Sequence, residues 1–242
     1  MVWKIAVPAL LSSAMKLSQR IAFSRVVTGL AIIAGAHALG SVVAGAEEVA
    51  PVKFDFEEYE EGTEPDLFVV EGTFKIAAED GNKVLQLEPL PLAESGVIFG
   101  KSLKGEASVT VDVKASKLRR STPRFGVGLH GISGYRLRVV PASSKLEVVK
   151  SEEVVQSVDY KWTSDEWLTL RLTIEAAAEG KWVISGWVWP RGGEAPKEPA
   201  ITIQSDEKPG QGKASIWGTP YSGMPISYDN VVIENREAEG EK

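Results

Sequence analysis

The strongest constraint on the fold is a pattern of short runs in which apolar and polar residues alternate. In WLTLRLTIE (167–175), the leucines and the isoleucine share one side, whereas Trp167 and the polar residues share the other. A period of two residues is the signature of a β-strand that turns one face to a core. Clusters of Gly, Pro, Asn and Asp separate these runs. The predicted strands are 52–57, 73–78, 83–88, 96–100, 107–115, 124–130, 134–140, 145–150, 154–160, 167–175, 182–189, 200–205, 214–218 and 226–234.

Strands of this kind predict an all-β protein with one domain over 47–235. Each strand has a single apolar face, so two antiparallel sheets packed face to face bury the runs best. A closed barrel is the alternative. Asp80-Gly81 is typical of a tight hairpin turn, and 141–144 (PASS) joins two alternating runs and reverses the chain. The charged residues 236–242 are expected to form a flexible tail.

The first 46 residues differ from the rest of the chain. They carry basic residues and no acid, and 26–46 is uncharged and ends in Ala44-Gly45-Ala46. A basic leader, an apolar stretch and an A-x-A site indicate a secretory signal peptide over 1–46. Cleavage leaves Glu47 as the new N-terminus, a secreted or periplasmic protein and no membrane segment. A retained anchor is the alternative, because about 20 apolar residues can span a bilayer.

Composition excludes several classes of chemistry. The chain has 27 basic and 33 acidic residues, so no basic excess is available for nucleic acid. It has no cysteine, which excludes disulfides, thiolate metal sites and cysteine nucleophiles. After cleavage only His130 remains of the two histidines, which argues against His-rich zinc sites and two-histidine relays. No G-x-S-x-G elbow accompanies it.

Three motifs, taken in order, carry a resemblance to a known superfamily. Gly134-Tyr135 begins an alternating strand, 167–174 reads W-x-x-L-x-L-x-I, and 228–231 (YDNV) ends the pattern after a Gly-rich segment. The chain resembles the concanavalin A-like lectin/glucanase jelly rolls, particularly laminin-G-like domains and bacterial 3-keto-disaccharide hydrolase-like domains. The resemblance implies a two-sheet antiparallel jelly-roll sandwich with a concave sheet that often holds sugar. It implies no single activity, since the fold carries lectins, glycosidases and adhesion modules.

Paired carboxylates would indicate a glycosidase, which needs two carboxyl groups about 5 Å apart in the retaining mechanism. Family 16 glucanases place theirs on one strand as E-x-D-x-x-E, and this chain lacks that pattern. The expected function is therefore a non-catalytic carbohydrate-binding or adhesion module. Two alternatives stay open: a hydrolase acting on a glycoside or 3-keto-sugar, and a structural subunit of a cell-envelope assembly.

Aromatic and basic side chains on strand faces suggest where a sugar would bind. Indole rings stack on the apolar faces of sugars, and polar neighbours hydrogen-bond the hydroxyls. If these faces line one sheet, they form a single groove for a polyhydroxylated or anionic ligand. The alternative is that the tryptophans pack in the core and the arginines solvate a sheet face. The candidate ligand-binding residues are Arg124, His130, Arg136, Arg138, Trp187, Trp189, Trp217 and Tyr221.

A structural calcium ion is implied by the same resemblance. The aspartate of the final strand binds calcium in family 16 relatives, and Asp229 matches that position. Asp55 lies on the first strand and comes close if the two termini pair. Calcium takes 6–8 oxygen ligands, of which the sequence offers one or two. The alternative is an aspartate that anchors a turn. No other cofactor is expected.

Overall fold

The computed structural model describes residues 50–90 and 92–236. The predicted signal peptide (1–46) and the charged tail beyond residue 236 lie outside these residues. Within the described ranges no helix is long and apolar enough to span a bilayer. The only helical segments described there are two 3₁₀ turns, Pro141–Ser143 and Ala178–Gly180.

Strands make up the rest of the regular structure. Their bounds follow the predicted runs closely, apart from one additional strand, β2, at an edge. The strands are β1 (Val52–Phe54), β2 (Phe68–Glu71), β3 (Phe74–Glu79), β4 (Asn82–Leu87), β5 (Ser95–Leu103), β6 (Glu106–Ala115), β7 (Arg124–Leu129), β8 (Tyr135–Val140), β9 (Lys145–Lys150), β10 (Glu153–Asp159), β11 (Trp167–Ala176), β12 (Trp182–Pro190), β13 (Ile201–Ser205), β14 (Gly212–Thr219) and β15 (Ile226–Arg236).

The strands form two antiparallel sheets. Sheet A has the order β13-β12-β11-β6-β15-β4-β3, with β1 paired to β15. Sheet B has the order β10-β9-β8-β7-β14-β5-β2. The two sheets pack face to face, so the predicted all-β jelly-roll sandwich is confirmed and the closed-barrel alternative is not what the chain forms.

The alternation predicted for each strand sets which side chains enter the core. On β11 the leucines and Ile174 are fully buried, whereas Trp167, Arg171 and Glu175 on the other side reach solvent. On β7, Phe125, Val127 and Leu129 point inward in the same way. Burying one such aliphatic or aromatic side chain contributes about 1.5–3 kcal/mol, which explains why the apolar faces of the two sheets meet.

Turn chemistry also follows the sequence. Glu79 pairs with Asn82, and Asp80 and Gly81 between them have φ values of +54° and +82°. Positive φ at both central residues is the type I′ geometry that suits a tight hairpin. The predicted reversal at 141–144 is confirmed as the connection between β8 and β9.

The two sheets contact each other closely at two positions, one beside Trp187 and one at Trp217. Gly186 on β12 faces Leu137 on β8, and a Cβ atom on Gly186 would lie 2.4 Å from a leucine methyl group. Tyr228 on β15 is fully buried, and its hydroxyl donates a hydrogen bond to the backbone carbonyl of Trp217 on β14 at 2.8 Å. Burial raises the pKa of the Tyr228 phenol, so it remains a neutral donor.

Candidate functional site

The residues predicted to line one groove are divided between two sheets. Arg124, Arg136, Arg138 and Trp217 lie on β7, β8 and β14 of sheet B. Trp187 and Trp189 lie on β12 of sheet A. Both groups point outward, on opposite sides of the sandwich. The expectation of a single groove is therefore wrong, because alternation assigns a residue to a face but does not say which sheet that face belongs to.

On sheet B, Trp217 lies flat across its glycine neighbours. It pairs with Gly126 on β7 and Gly96 on β5, and a Cβ atom on Gly96 would approach the indole within 2.7 Å. The guanidinium of Arg136 lies over the ring at 3.7 Å from its centroid. Trp217 is only 6% exposed as a result. We call this surface, centred on Trp217 with Arg124, Arg136 and Arg138, the Trp217 face.

Arg136 is held in place by several acceptors. Its guanidinium contacts the Glu94 carboxylate at 3.0 Å, the Glu152 carboxylate at 2.9 Å and the Ile132 carbonyl at 2.9 Å. It is 4% exposed, and the space beside it that water can enter is only about 10 Å³. The flat face of Trp217 is therefore covered by the protein's own side chain and is not open to a sugar.

The remaining members of the Trp217 face are mostly paired as well. Arg138 donates to the Glu147 carboxylate through Nε and Nη2, at 3.1 and 2.8 Å. The Arg124 guanidinium lies 5.6 Å from the ring centroid of Tyr221, which is 47% exposed. Tyr221 is thus an exposed aromatic group beside the Trp217 face.

His130 does not join either surface. β7 ends at Leu129, and His130 has a φ of +63°, so the strand alternation that would place it beside Arg124 ends one residue earlier. The ring is 5% exposed and lies against the backbone of Gly105 and Gly210. Burial lowers the pKa of His130, so the neutral imidazole is favoured in the folded protein.

The predicted calcium aspartate lies in a hydrogen-bonded cluster on sheet A. Asp229 pairs across the sheet with Asp112, and Arg191 bridges them: its Nη2 is 2.7 Å from Asp229 Oδ2 and its Nε is 3.0 Å from Asp112 Oδ2. Asn82 and Asn230 also donate to Asp229 Oδ2, at 2.6 and 3.2 Å. Burial raises the pKa of Asp229, and these donors act in the opposite direction.

These residues do not fit a calcium ion. Both oxygens of Asp229 accept hydrogen bonds, one of them from a guanidinium that would repel a cation. The termini do pair, with Phe54 opposite Val231, but Asp55 accepts a bond from the backbone of Glu57. In the part of the chain that the structure describes, no cluster of three or more His, Cys, Asp or Glu side chains could hold a metal ion.

Beside this cluster, sheet A carries an open cleft. The strand register places Trp187 opposite Arg171, and Thr173 opposite Ser108 on β6, which in turn pairs with Glu234 on β15. Water can enter a volume of about 350 Å³ here. We call it the Trp187 cleft; its polar and aromatic lining residues are Glu106, Ser108, Arg171, Thr173, Glu175, Trp187 and Glu234.

Several polar groups in the Trp187 cleft have unused hydrogen-bonding capacity. Glu106 accepts a bond from the backbone of Ala176 through Oε1, and Glu234 accepts one from Ser108 through Oε2. The Thr173 hydroxyl is buried and has no hydrogen-bond partner among the described residues. Trp187 is half-buried, in contrast with Trp217. The cleft thus combines an accessible indole with carboxylate and hydroxyl groups.

Sequence reasoning found Trp187 but not the polar residues around it. The signal was present, since the alternation in β11 assigns Arg171, Thr173 and Glu175 to the face opposite the leucines. What the sequence could not supply was the neighbour relation of β11 with β6 and β12, which brings Ser108 and Trp187 beside them. Trp189 lies two residue pairs further along, opposite Thr169, and is largely buried.

Comparison with known proteins identifies the fold. No protein-family model and no curated protein sequence matches the chain. Among solved structures, lectin II from Ulex europaeus is 9% identical with a TM-score of 0.51, covering 77% of this chain and 98% of the lectin. Alginate lyase Aly36B is 12% identical with a TM-score of 0.50, covering 78% and 98%. The carbohydrate-binding module CBM66 from Bacillus subtilis is 12% identical with a TM-score of 0.49, covering 70% and 98%.

The chain has the concanavalin A-like jelly-roll fold, as the resemblance in its sequence implied. At these identities the likeness shows the fold alone, and the neighbours include both lectins and lyases.

Proposed function

We propose that the protein is a carbohydrate-binding β-sandwich module whose ligand lies in the Trp187 cleft. The observation that carries the proposal is the half-buried Trp187 at the wall of an open cleft of about 350 Å³. Ligand sites of small molecules typically occupy about 300–1,000 Å³. The Trp217 face offers no such space because Arg136 covers its indole.

The groups in the cleft match the surface of a sugar. A pyranose has an apolar face that packs on an indole, and Trp187 offers one. Its hydroxyls need both donors and acceptors, which Arg171 and the carboxylates of Glu106, Glu175 and Glu234 supply. This assigns the ligand-binding role to Trp187 and to residues that were not among the candidates. In this proposal Arg136 and Trp217 do not bind the ligand.

The experiment is a binding screen of the protein, expressed from Glu47 onward, on a panel of native polysaccharides by affinity electrophoresis. We expect retardation on at least one polysaccharide and loss of that retardation in Trp187→Ala. Tyr221→Ala, which removes an exposed aromatic ring in the loop between β14 and β15, should migrate like the unaltered protein. Retardation that survives Trp187→Ala would place the ligand elsewhere, and retardation on none would contradict the function.

A hydrolase is the second candidate, because three carboxylates line the same cleft as Trp187. A glycosidase needs one carboxyl group as acid and another as base or nucleophile. Glu106 and Glu234 each spend one oxygen on a structural hydrogen bond, which favours binding over catalysis. Release of reducing ends or of a keto-sugar by the unaltered protein, abolished in Glu234→Gln, would establish the hydrolase instead.

We also propose that the protein is exported, and only the sequence of its first 46 residues supports this. A signal peptide over 1–46 gives a secreted or periplasmic protein, where glycans are available as ligands. The third function predicted from the sequence, a structural subunit of a cell-envelope assembly, stays a prediction. A stable protein partner that co-purifies with the chain, together with no glycan binding, would favour it.

A further inference from the structure

The charge of the Trp187 cleft restricts which glycans it can hold. Three of its lining side chains are carboxylates, Glu106, Glu175 and Glu234, and one is a guanidinium, Arg171. No ion pair within 4.0 Å joins any of the three carboxylates to another described side chain. This single guanidinium is partly engaged within sheet A, since Arg171 Nε donates to the Thr110 hydroxyl at 3.1 Å, and it is outnumbered in the lining by the three carboxylates. The cleft is therefore acidic as well as aromatic.

A second observation points to a ligand in this cleft. Thr173 lies among the lining residues, is nine-tenths buried, and its hydroxyl has no hydrogen-bond partner in the described chain. Buried hydroxyls are normally paired, because an unpaired one has lost its hydrogen bonds to water without replacing them. The neighbouring Thr169, on the same face, is paired, since it donates to Asp112 at 2.6 Å. The lining of the cleft thus contains a buried hydroxyl whose hydrogen-bonding capacity the described chain does not use.

We infer, on the basis of the proposed function, that the Trp187 cleft selects glycans that carry a protonated amino group. An ammonium group meets carboxylates that already lie in a partly desolvated cleft, so it replaces water with charge-assisted hydrogen bonds. A uronate would bring a further negative charge next to Glu106, Glu175 and Glu234. Repulsion between like charges would weaken its binding. A neutral sugar has neither effect, so we expect its affinity to lie between those of the amino sugar and the uronate.

Matched oligosaccharides test this order. The probes are β-1,4-linked glucosamine hexamers, the same hexamers fully N-acetylated, and uronate hexamers of the alginate type, titrated calorimetrically at a pH where the amine is protonated. We expect the glucosamine hexamer to bind about fivefold to tenfold more tightly than its acetylated counterpart, and the uronate hexamer to bind more weakly than both. The preference should shrink as salt is raised from about 0.05 to 0.5 M.

Glu175→Gln is the cleanest variant, because Glu175 is exposed and near-isosteric replacement keeps its hydrogen-bonding shape. It should reduce the preference for the amine by about twofold to threefold, because two of the three carboxylates remain, and should lower the affinity for the acetylated hexamer much less, because the glutamine carbonyl oxygen still accepts a hydrogen bond. Glu153→Gln, an exposed glutamate on β10 of sheet B, is the matched control and should behave like the unaltered protein. Retention of a folded β-sheet spectrum excludes misfolding as the cause.

The outcomes separate this inference from the proposed function. Equal affinity for the amine and its acetylated form, tighter binding of the uronate, or no binding of any of the three overturns the inference. Each of these results leaves the proposed function standing if the polysaccharide panel detects a glycan that Trp187→Ala no longer binds. Absence of binding on the whole panel overturns both.

Discussion

The guanidinium of Arg136 stacks on Trp217 at 3.7 Å from the ring centroid, and the carboxylates of Glu94 and Glu152 contact its Nη1 and Nη2 atoms. An arginine on an aromatic strand face can either bind a ligand or cover the aromatic ring. In this protein it covers the ring, because its charge is paired with two carboxylates and both Nη atoms have acceptors within the fold. The Trp217 face is a structural surface, whereas the indole of Trp187 stays accessible in its cleft.

Arg136→Ala should destabilise the protein and leave glycan binding intact. Removing the guanidinium exposes the Trp217 ring and loses the cation–π contact and the packing of the arginine stem, a loss of about 2 kcal/mol in the free energy of unfolding. Urea-induced unfolding at pH 7 measures it. Arg120→Ala, at an exposed position, should change the free energy by less than about 0.5 kcal/mol. Loss of glycan binding at full stability would contradict the assignment.

Arg191→Met should be strongly destabilising near neutral pH. It leaves the buried carboxylates of Asp112 and Asp229 on neighbouring strands without the guanidinium that bridges them. Removing one partner from such a buried cluster costs about 3–5 kcal/mol. The pKa of Asp229, already raised by burial, should rise further, so the deficit should shrink as the pH is lowered. Unfolding curves of both proteins at pH 7 and pH 4.5 test this.

A deficit that is the same at both pH values would contradict the electrostatic explanation. It would attribute the whole effect to lost packing of Arg191 on Trp167, whose ring centroid lies 4.7 Å from the guanidinium carbon.

Addition of calcium tests the conclusion that Asp229 holds no metal ion. Because the donors around Asp229 leave no room for calcium, millimolar calcium or its chelator should not shift the melting temperature.

His130 should make stability depend on pH in a defined window. Burial lowers its folded-state pKa below the ordinary value of 6.5, so below pH 6.5 the unfolded chain binds the proton more readily. The free energy of unfolding should therefore be fully maintained above pH 6.5 and fall below it, by at most about 1.4 kcal/mol per pH unit. His130→Asn, which tolerates the left-handed backbone, should remove this dependence. An unchanged pH profile in the variant would contradict it.

Expression in a host with a secretory pathway tests the predicted leader. We expect intact-mass spectrometry of the exported protein to give a chain that begins at Glu47, because Ala44-Gly45-Ala46 supplies the small residues of a cleavage site. Ala46→Pro should impair cleavage, whereas Ala34→Ser, within the uncharged stretch, should not. Recovery of a membrane-bound chain that retains Met1 would support the anchor instead.

The strands could be predicted because their signal is local. Alternation over a few residues identifies β11 and its core-facing leucines without knowledge of its neighbours. β2 was missed because Phe68–Glu71 is a short edge strand with no alternation, held mainly by its pairing with β5. The prediction that His130 shares a strand face with Arg124 was wrong, because nothing in the adjacent residues indicates the left-handed backbone conformation of His130.

The candidate site could be predicted only in part, for a different reason. Strands that are distant in sequence become neighbours in each sheet, as β14 does between β7 and β5. Trp187 and Arg136 look equivalent as outward residues of alternating strands, yet they lie on opposite sides of the sandwich. The pairing that covers Trp217 with Arg136 and leaves Trp187 accessible depends on these long-range contacts, which no short segment encodes.

The most direct test of the account is calorimetric titration of Trp187→Ala and Tyr221→Ala with the glycan that the polysaccharide panel identifies. Trp187 lies on β12 of sheet A, whereas Tyr221 lies in the loop between β14 and β15 beside Arg124, so the two rings belong to different surfaces. We predict that Trp187→Ala raises Kd by about 30-fold or more, equivalent to about 2 kcal/mol, while Tyr221→Ala changes it less than about twofold. An unchanged Kd in Trp187→Ala, or the loss appearing in Tyr221→Ala instead, would contradict the assignment of the ligand to the Trp187 cleft.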